Sequence, residues 1–283
     1  MEKMENLFRV DDIKVDMPSK VLSDNVAKIA VIGVGGGGCN MINHMINEVS
    51  HKIDLIAANT DLQVLHISKA PKKIQLGLKL TKGLGAGMKP EVGRDSAVES
   101  YEEIKATLKG ADIIFIAAGL GGGTGTGAAA IIAKAAKEIG ALTVSVVTKP
   151  FTWEGKKRAG LANLGLEELK KVSDSIIIVP NDRLLEIIDE NVGMKDAFKI
   201  IDNILYQAVN GMSEVILNPG NSDINTDFAD VKTIMQHKGM ALMGIGRAKG
   251  ENAAQRALED AIDSPLLDKV SLNGAKGILI HFN

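Results

Sequence analysis

Gly119-Leu-Gly-Gly-Gly-Thr-Gly-Thr-Gly127 sits between two segments of opposite character. Before it, Asp112-Ile-Ile-Phe-Ile-Ala-Ala118 is a short, isoleucine-rich apolar run that reads as a buried strand. After it, the alanine-rich run from Ala128 to Ile139 reads as a helix stopped by Gly140. A strand, a glycine loop and a helix N-terminus together make a phosphate-binding geometry. Glycine lets the backbone come close, several N–H groups converge, and the helix dipole adds partial positive charge. Thr124 and Thr126 add hydroxyl donors, and Gly123 is expected to reject a side chain, because a Cβ would stand between the backbone N–H groups and a phosphate or would forbid a positive φ. A bare strand-to-helix turn is the plainer reading, but five glycines within residues 121–127 exceed what a turn needs.

Outward from this stretch, strands and helices alternate. Lys28 to Val34 is a strand, followed by a second glycine loop, Gly35 to Gly38, and a helix from Met41 to Val49. Ile53 to Ala58 is a strand closed by Asn59-Thr-Asp61, and Lys73 to Gly77 is a short edge strand. Thr81-Lys-Gly-Leu-Gly-Ala-Gly-Met-Lys-Pro90 is a third glycine-rich loop, and Pro90 suits the first turn of a helix reaching Lys109. Strands follow at 142–148 and 175–179. The pattern predicts an α/β fold: a mostly parallel, Rossmann-like sheet with helices on both faces, its ligands beyond the carboxyl ends of the strands.

Phe198, Ile201, Leu205, Ala208, Met212 and Val215 recur at three- and four-residue steps and predict a long, heavily buried central helix. Beyond it, a helix at 228–237, a strand at 240–245, a helix at 252–263 and a strand at 276–282 suggest a smaller α/β unit.

Composition excludes several classes. Net charge is −2, which gives no footprint for nucleic acid. The single cysteine, Cys39, rules out an internal disulfide and fits a reducing cytosol. No run of eighteen apolar residues predicts a membrane span. Residues 1–25 mix both charges without an apolar core and read as a flexible lead-in rather than a secretory signal.

Other motifs carry paired readings. Gly33-Val-Gly-Gly-Gly-Gly38 fits the dinucleotide fingerprint G-x-G-x-x-G, with Asp54 near the spacing of a ribose-binding acid. The richer loop at 121–127 has no role in a simple NAD site, and Asn40 suits a phosphate or ribose equally well. Cys39 reads as a small packed residue rather than a nucleophile. There is no Walker A lysine motif. Glu154 and Arg158 lie one helical turn apart. They could serve ribose and phosphate, or be a first-turn acid and a solvated base. Phe198 and Asp202 share one helix face. A ring beside a carboxylate can stack on guanine and accept from its N1–H and 2-amino group; the alternative is a partly exposed acid. Asp227 and Asp230 sit three apart at a helix start, as N-cap and first-turn acid, or as outward carboxylates that polarise water or hold a cation.

Taken together, Gly35 to Asn40, Asn59 to Asp61, Gly83 to Gly93, the 121–127 loop, Pro150 to Arg158, Pro180-Asn-Asp182 and Asp223 to Lys232 resemble, in order, the motifs of the tubulin/FtsZ GTPase family. The likeness is to its FtsZ branch more than to tubulin. The resemblance implies a bacterial cell-division GTPase, cytoplasmic and at the mid-cell ring, that binds GTP or GDP with Mg²⁺ held through the phosphates and no metal site of its own. It implies nucleotide contacts from Gly36, Gly37, Gly38, Cys39, Asn40, Gly123, Thr124, Gly125, Glu154, Arg158 and Asp202, to which the helix-face reading adds Phe198. Asn59 and Asp61 would lie near the phosphates and Mg²⁺, and Ala86 and Gly87 near the γ-phosphate. Asn225, Asp227 and Asp230 would form the catalytic synergy loop, entering the pocket of the next subunit in a head-to-tail filament. The expected divisions are 1–25, a GTP-binding domain at 26–195, the central helix at 196–218 and a partial C-terminal domain at 219–283. Family members continue past this point with further strands and a peptide that binds membrane tethers and regulators. Since the sequence stops at Asn283, the second sheet is expected to be incomplete and that peptide missing. A GTP-binding module that does not polymerise, and an NAD(P) oxidoreductase, remain as alternatives.

Overall fold

A computed structural model describes residues 27–48, 53–184, 193–217, 228–237, 239–262 and 275–280. Its strands are β1 (Ile29–Val34), β2 (Ile53–Asn59), β3 (Lys72–Gln75), β4 (Ile113–Gly119), β5 (Leu142–Lys149), β6 (Ser175–Pro180) and β7 (Gly239–Ala241). All seven are parallel, in the order β3-β2-β1-β4-β5-β6-β7. Between them run helices α1 (Gly35–Met45), α2 (Leu62–Ile67), α3 (Leu78–Thr81), α4 (Pro90–Glu99), α5 (Tyr101–Leu108), α6 (Thr124–Glu138), α7 (Lys156–Val172), α8 (Asn181–Leu184), α9 (Met194–Leu217), α10 (Phe228–Met235) and α11 (Ala253–Ile262).

The strands are apolar throughout because both faces are covered. Ile29, Val31, Phe115, Ala117, Val144 and Val146 point to a core shared with α1 and α9. Their neighbours Ala30, Ile32, Ile114 and Ile116 point to a second core shared with α4, α5, α6 and α7. The helix after β1 therefore lies on one face and the helix after the adjacent β4 on the other. The gap between the carboxyl ends of β1 and β4 is the switch point at which open α/β sheets bind ligands.

The structure corrects several sequence expectations. Gly35 to Gly38 is the first turn of α1 rather than a loop, and α6 begins at Thr124 rather than Ala128. The helix expected to run unbroken from Pro90 to Lys109 divides at Ser100. That hydroxyl accepts from Gly77 N–H at 3.1 Å and donates to the Gln75 carbonyl at 3.4 Å, tying the bend to the β3–α3 turn. The strand expected at 240–245 is only β7. It extends the main sheet beside Ser175 to Ile177 instead of opening a sheet of its own. Residues 275–280 form no strand, since no described segment offers them a ladder, and the rest of the strand expected at 276–282 lies outside the described residues. Among the described residues no helix is long and apolar enough to cross a membrane.

Candidate functional site

Two helix N-termini meet at the switch point. Helix α1 has Val34 as its N-cap and α6 has Gly123; neither receives a side-chain cap. Their first N–H groups thus lack the partners that a Ser, Thr or Asp would offer. The two turns touch closely. Gly35 has φ +72°, and a Cβ there would stand 2.8 Å from Gly125 N; one on Gly37 would stand 3.4 Å from Gly119. Gly36, Gly37 and Asn40 are exposed, whereas Gly38 and Cys39 are buried. The Cys39 thiol lies 3.9 Å from the Gly33 carbonyl and 4.0 Å from that of Ala58. Burial pushes its pKa up to about 11, which suits a packed residue and not a nucleophile.

The glycine loop is locked from within. Gly121, at φ +102°, donates its N–H to Thr126 Oγ1 at 2.8 Å, and Thr124 Oγ1 is 2.7 Å from Thr60 Oγ1. The two threonines expected as donors to a ligand therefore each hold an internal bond. Gly123 has φ −83°, so a positive φ is not what excludes a side chain there. Space is: a Cβ would meet Ala86 Cβ at 2.8 Å and Lys89 N at 3.0 Å. This puts the 84–89 loop, with buried Ala86 and exposed Gly87, directly against the α6 N-terminus.

Asn59, at the end of β2, is 3% exposed, accepts from Asp61 N–H at 3.1 Å, and reaches Cys39 Sγ with its Nδ2. Asp61 caps α2, its Oδ1 accepting from Gln63 N–H at 2.8 Å and Val64 N–H at 3.4 Å.

On the β5 side, Glu154 is doubly engaged. Its Oε1 accepts from Phe151 N–H at 2.8 Å and its Oε2 pairs with Arg158 at 2.7 Å. The two residues read as ribose and phosphate ligands thus bond to each other. Arg158 still borders the glycine loop: its carbonyl lies 2.9 Å from where a Cβ on Gly121 would be. Asp182 fastens the same turn by accepting from Thr152 N–H at 2.8 Å and Thr152 Oγ1 at 2.6 Å.

Helix α9 closes the rim. Phe198 is 40% exposed and meets Phe151 edge-on at 5.8 Å. Asp202, one turn on, is half-buried beside His44 of α1. Desolvation raises its pKa from 3.8 to about 6, and His44 opposes the rise. Asp230 is exposed in the first turn of α10; Asn225 and Asp227 lie outside the described residues.

Sequence reasoning gave Asn181 no role. It starts α8 at the carboxyl end of β6, is 4% exposed, and its side-chain carbonyl has no hydrogen-bond partner among the described residues. Such an oxygen is one that a donor from outside the described residues could satisfy. Asp54, the acid that supported a dinucleotide reading, stands at the opposite end of β2, paired with Lys72 at 2.8 Å. There it helps line a cavity of about 290 Å³ with Lys28, Thr107 and Lys109. A ribose-binding acid belongs at the carboxyl end, so the fingerprint at Gly33 to Gly38 is not completed.

A family model described as the tubulin/FtsZ family GTPase domain matches residues 28–189, and one described as the FtsZ family C-terminal domain matches residues 239–283. An FtsZ dimer from M. jannaschii is 49% identical, with a TM-score of 0.81 over 86% of this chain and 70% of that one. A tryptophan-to-tyrosine variant of FtsZ from M. jannaschii is also 49% identical, with a TM-score of 0.80 over 86% and 72%. CetZ2 from Haloferax volcanii, at 23% identity and a TM-score of 0.69 over 79% and 67%, shares the fold alone. Both family models, the strand order and the paired helix N-termini agree: the chain belongs to the tubulin/FtsZ family of GTPases, and within it to FtsZ.

Proposed function

We propose that this rim binds GTP and that the chain hydrolyses it within head-to-tail filaments of a cell-division ring. The observation that carries the reading is the pair of uncapped helix N-termini, α1 and α6, set side by side at the switch point. Backbone N–H groups of Gly36, Gly37, Gly38, Cys39 and Asn40 take phosphate oxygens from one side, and those of Gly123, Thr124 and Gly125 from the other. Ala86 and Gly87 face the terminal phosphate, with Asn59 and Asp61 near it. Mg²⁺, when bound, neutralises phosphate charge and is carried by phosphate oxygens. Arg158 supplies further positive charge and Glu154 accepts from ribose hydroxyls, the nucleotide sharing the pairing that now joins them. Phe198 stacks on the base, Asp202 accepts from guanine N1–H and the 2-amino group, and the orphan carbonyl of Asn181 accepts nearby.

Hydrolysis is completed by a second copy, whose Asn225, Asp227 and Asp230 position the water. That water attacks the γ-phosphorus, the bond to the β,γ-bridging oxygen breaks, and GDP and phosphate leave. Self-association is supported by the FtsZ dimer solved from M. jannaschii; CetZ2, which shares the fold, is described as a GTPγS-bound protofilament. The proposed setting is the cytoplasmic face of the division site, where tethers and regulators act on the assembled filament. The test is to identify by mass the nucleotide released from the purified protein, and then to sediment the protein with GTP and Mg²⁺. A guanine nucleotide and a GTP-dependent pellet are expected. NAD(P) in the extract would overturn the GTP site, and a guanine nucleotide without any pellet would leave a binding module that does not polymerise.

A further inference from the structure

Thr60 lies between the two loops that the proposed site assigns to the phosphates, and it is completely buried. Its side chain and its backbone point to different partners. The hydroxyl meets Thr124 Oγ1 at 2.7 Å, in the first turn of α6. The carbonyl accepts from Gly85 N–H at 3.2 Å and from Thr81 Oγ1 at 3.3 Å, both in the segment that runs into Ala86 and Gly87. Thr81 Oγ1 also lies 3.0 Å from the Gly77 carbonyl, so its one hydrogen is shared between these two acceptors, while Gly85 N–H donates to the Thr60 carbonyl alone. One residue thus joins the α6 N-terminus to the 81–87 loop.

Both hydroxyls are buried and either can donate in the bond between Thr60 and Thr124. Thr60 Oγ1 has Thr124 as its one hydrogen-bond partner among the described residues. A buried O–H without an acceptor is costly, so a phosphate oxygen that takes the Thr124 hydrogen leaves Thr60 to donate and Thr124 to accept. The Thr124 hydrogen is then turned away from Thr60. Thr124 sits at the first position of an uncapped helix, next to the orphan N–H groups.

We infer that Thr60 is a positioning residue for the terminal phosphate: its hydroxyl orients Thr124 as a donor, and its carbonyl holds the 81–87 loop at the matching distance. This rests on the GTP-site reading above. GDP, which lacks the terminal phosphate, draws little on the 81–87 loop, so Thr60 should set the ratio of GTP to GDP affinity more than affinity as such.

The test compares wild type, Thr60→Val, Thr60→Ser and Thr81→Val in the full chain. Binding of fluorescent GTP and GDP analogues is titrated, and melting temperature is followed alongside. Valine keeps the shape of threonine and removes the donor; serine keeps the donor. Thr60→Val should lose about fivefold or more of its GTP affinity, the worth of one net hydrogen bond, and change GDP affinity by less than about twofold. Thr60→Ser should restore the wild-type ratio even if it melts lower, an outcome that a purely structural role does not produce. Thr81→Val removes one of the two donors to the Thr60 carbonyl, Gly85 N–H being the other, and should lower the ratio in the same direction by a smaller factor; if Thr60→Val does not fold, an unchanged ratio in folded Thr81→Val overturns the inference. An unchanged GTP-to-GDP ratio in the folded variants overturns the inference while leaving the site intact. A wild-type protein that binds neither nucleotide overturns the site and the inference together.

Discussion

Asp202 carries a conflict between stability and recognition. Burial holds its carboxyl near a pKa of about 6, above its ordinary 3.8. For an acid shifted upward, the folded state binds more protons than the unfolded chain between these values. Its contribution to stability is full below about pH 4 and is lost as pH rises through about 6. Asp202→Asn should therefore stabilise the unliganded protein at pH 7 by on the order of 1–3 kcal/mol, read by thermal denaturation. In the proposed site guanine binding runs the other way, because only the carboxylate would accept from both donors on the base edge. GTP affinity should fall about tenfold from pH 7 to pH 5 as Asp202 protonates. That step should be missing in Asp202→Asn, whose affinity is low throughout; a wild-type profile in this variant would remove Asp202 from the site. Gly123 gives a purely steric counterpart. Gly123→Ala drives a methyl into Ala86 and Lys89, so the melting temperature and nucleotide affinity should fall together, by about 1–3 kcal/mol in stability. Asp202 stood out in the sequence because it interrupts an apolar stripe to which Phe198 belongs. Asn181 and the Thr60–Thr124 pair did not, because their meaning lies in partners, or a missing partner, far away in the chain.

At the level of the element, the two glycine-rich helix starts show what sequence periodicity can and cannot deliver. The segments were visible; their boundaries were not. Glycine is a poor helix former, so Gly35 to Gly38 reads as a loop, yet contact with Gly119 and Gly125 holds it in a helical turn. The break at Ser100 was hidden for the same reason: a hydroxyl bonded to residues 75 and 77 decides it, and local propensity carries no trace of that contact. The α1 start offers a clean test. A Cβ on Gly36 would meet nothing within 4 Å in the protein. Gly36→Ala should leave the melting temperature unchanged or slightly higher, since alanine favours a helix by about 0.5–1 kcal/mol, while GTP affinity drops because the methyl occupies the phosphate's approach. Unchanged affinity in calorimetric titration would remove the α1 N-terminus from the site.

For the whole molecule, alternating strands and helices announced a parallel sheet with two covered faces, and the resemblance of seven motifs announced its family; both hold. The order of strands, which places β1 and β4 side by side and so makes the switch point, is a long-range property that no single segment encodes. The end of the chain was read less well, because β7 found its partner in β6 rather than in a later strand. The proposed trans mechanism belongs to this scale too. Asp230→Ala and Arg158→Ala should each hydrolyse GTP poorly alone. Mixed, they should recover part of the activity, since some contacts pair an intact pocket with an intact loop. The measurement is phosphate release per assembled molecule, with a crowding agent to favour assembly. A mixed rate no higher than the sum of the separate rates would sink the shared site.

The aromatic contacts beside the base site have a practical consequence. Trp153 is the only tryptophan in the chain, half-exposed, and stacked on buried Phe151 at 5.0 Å with its ring 17° from parallel. Phe151 in turn touches Phe198, the ring proposed to hold guanine. The molecule thus carries its own optical reporter, two rings from the proposed base position and free of competing indoles. Intrinsic emission should shift when GTP or GDP is added and stay still with ATP. Occupancy can then be followed in unlabelled protein, including during assembly, where a dye would perturb the very contact under study.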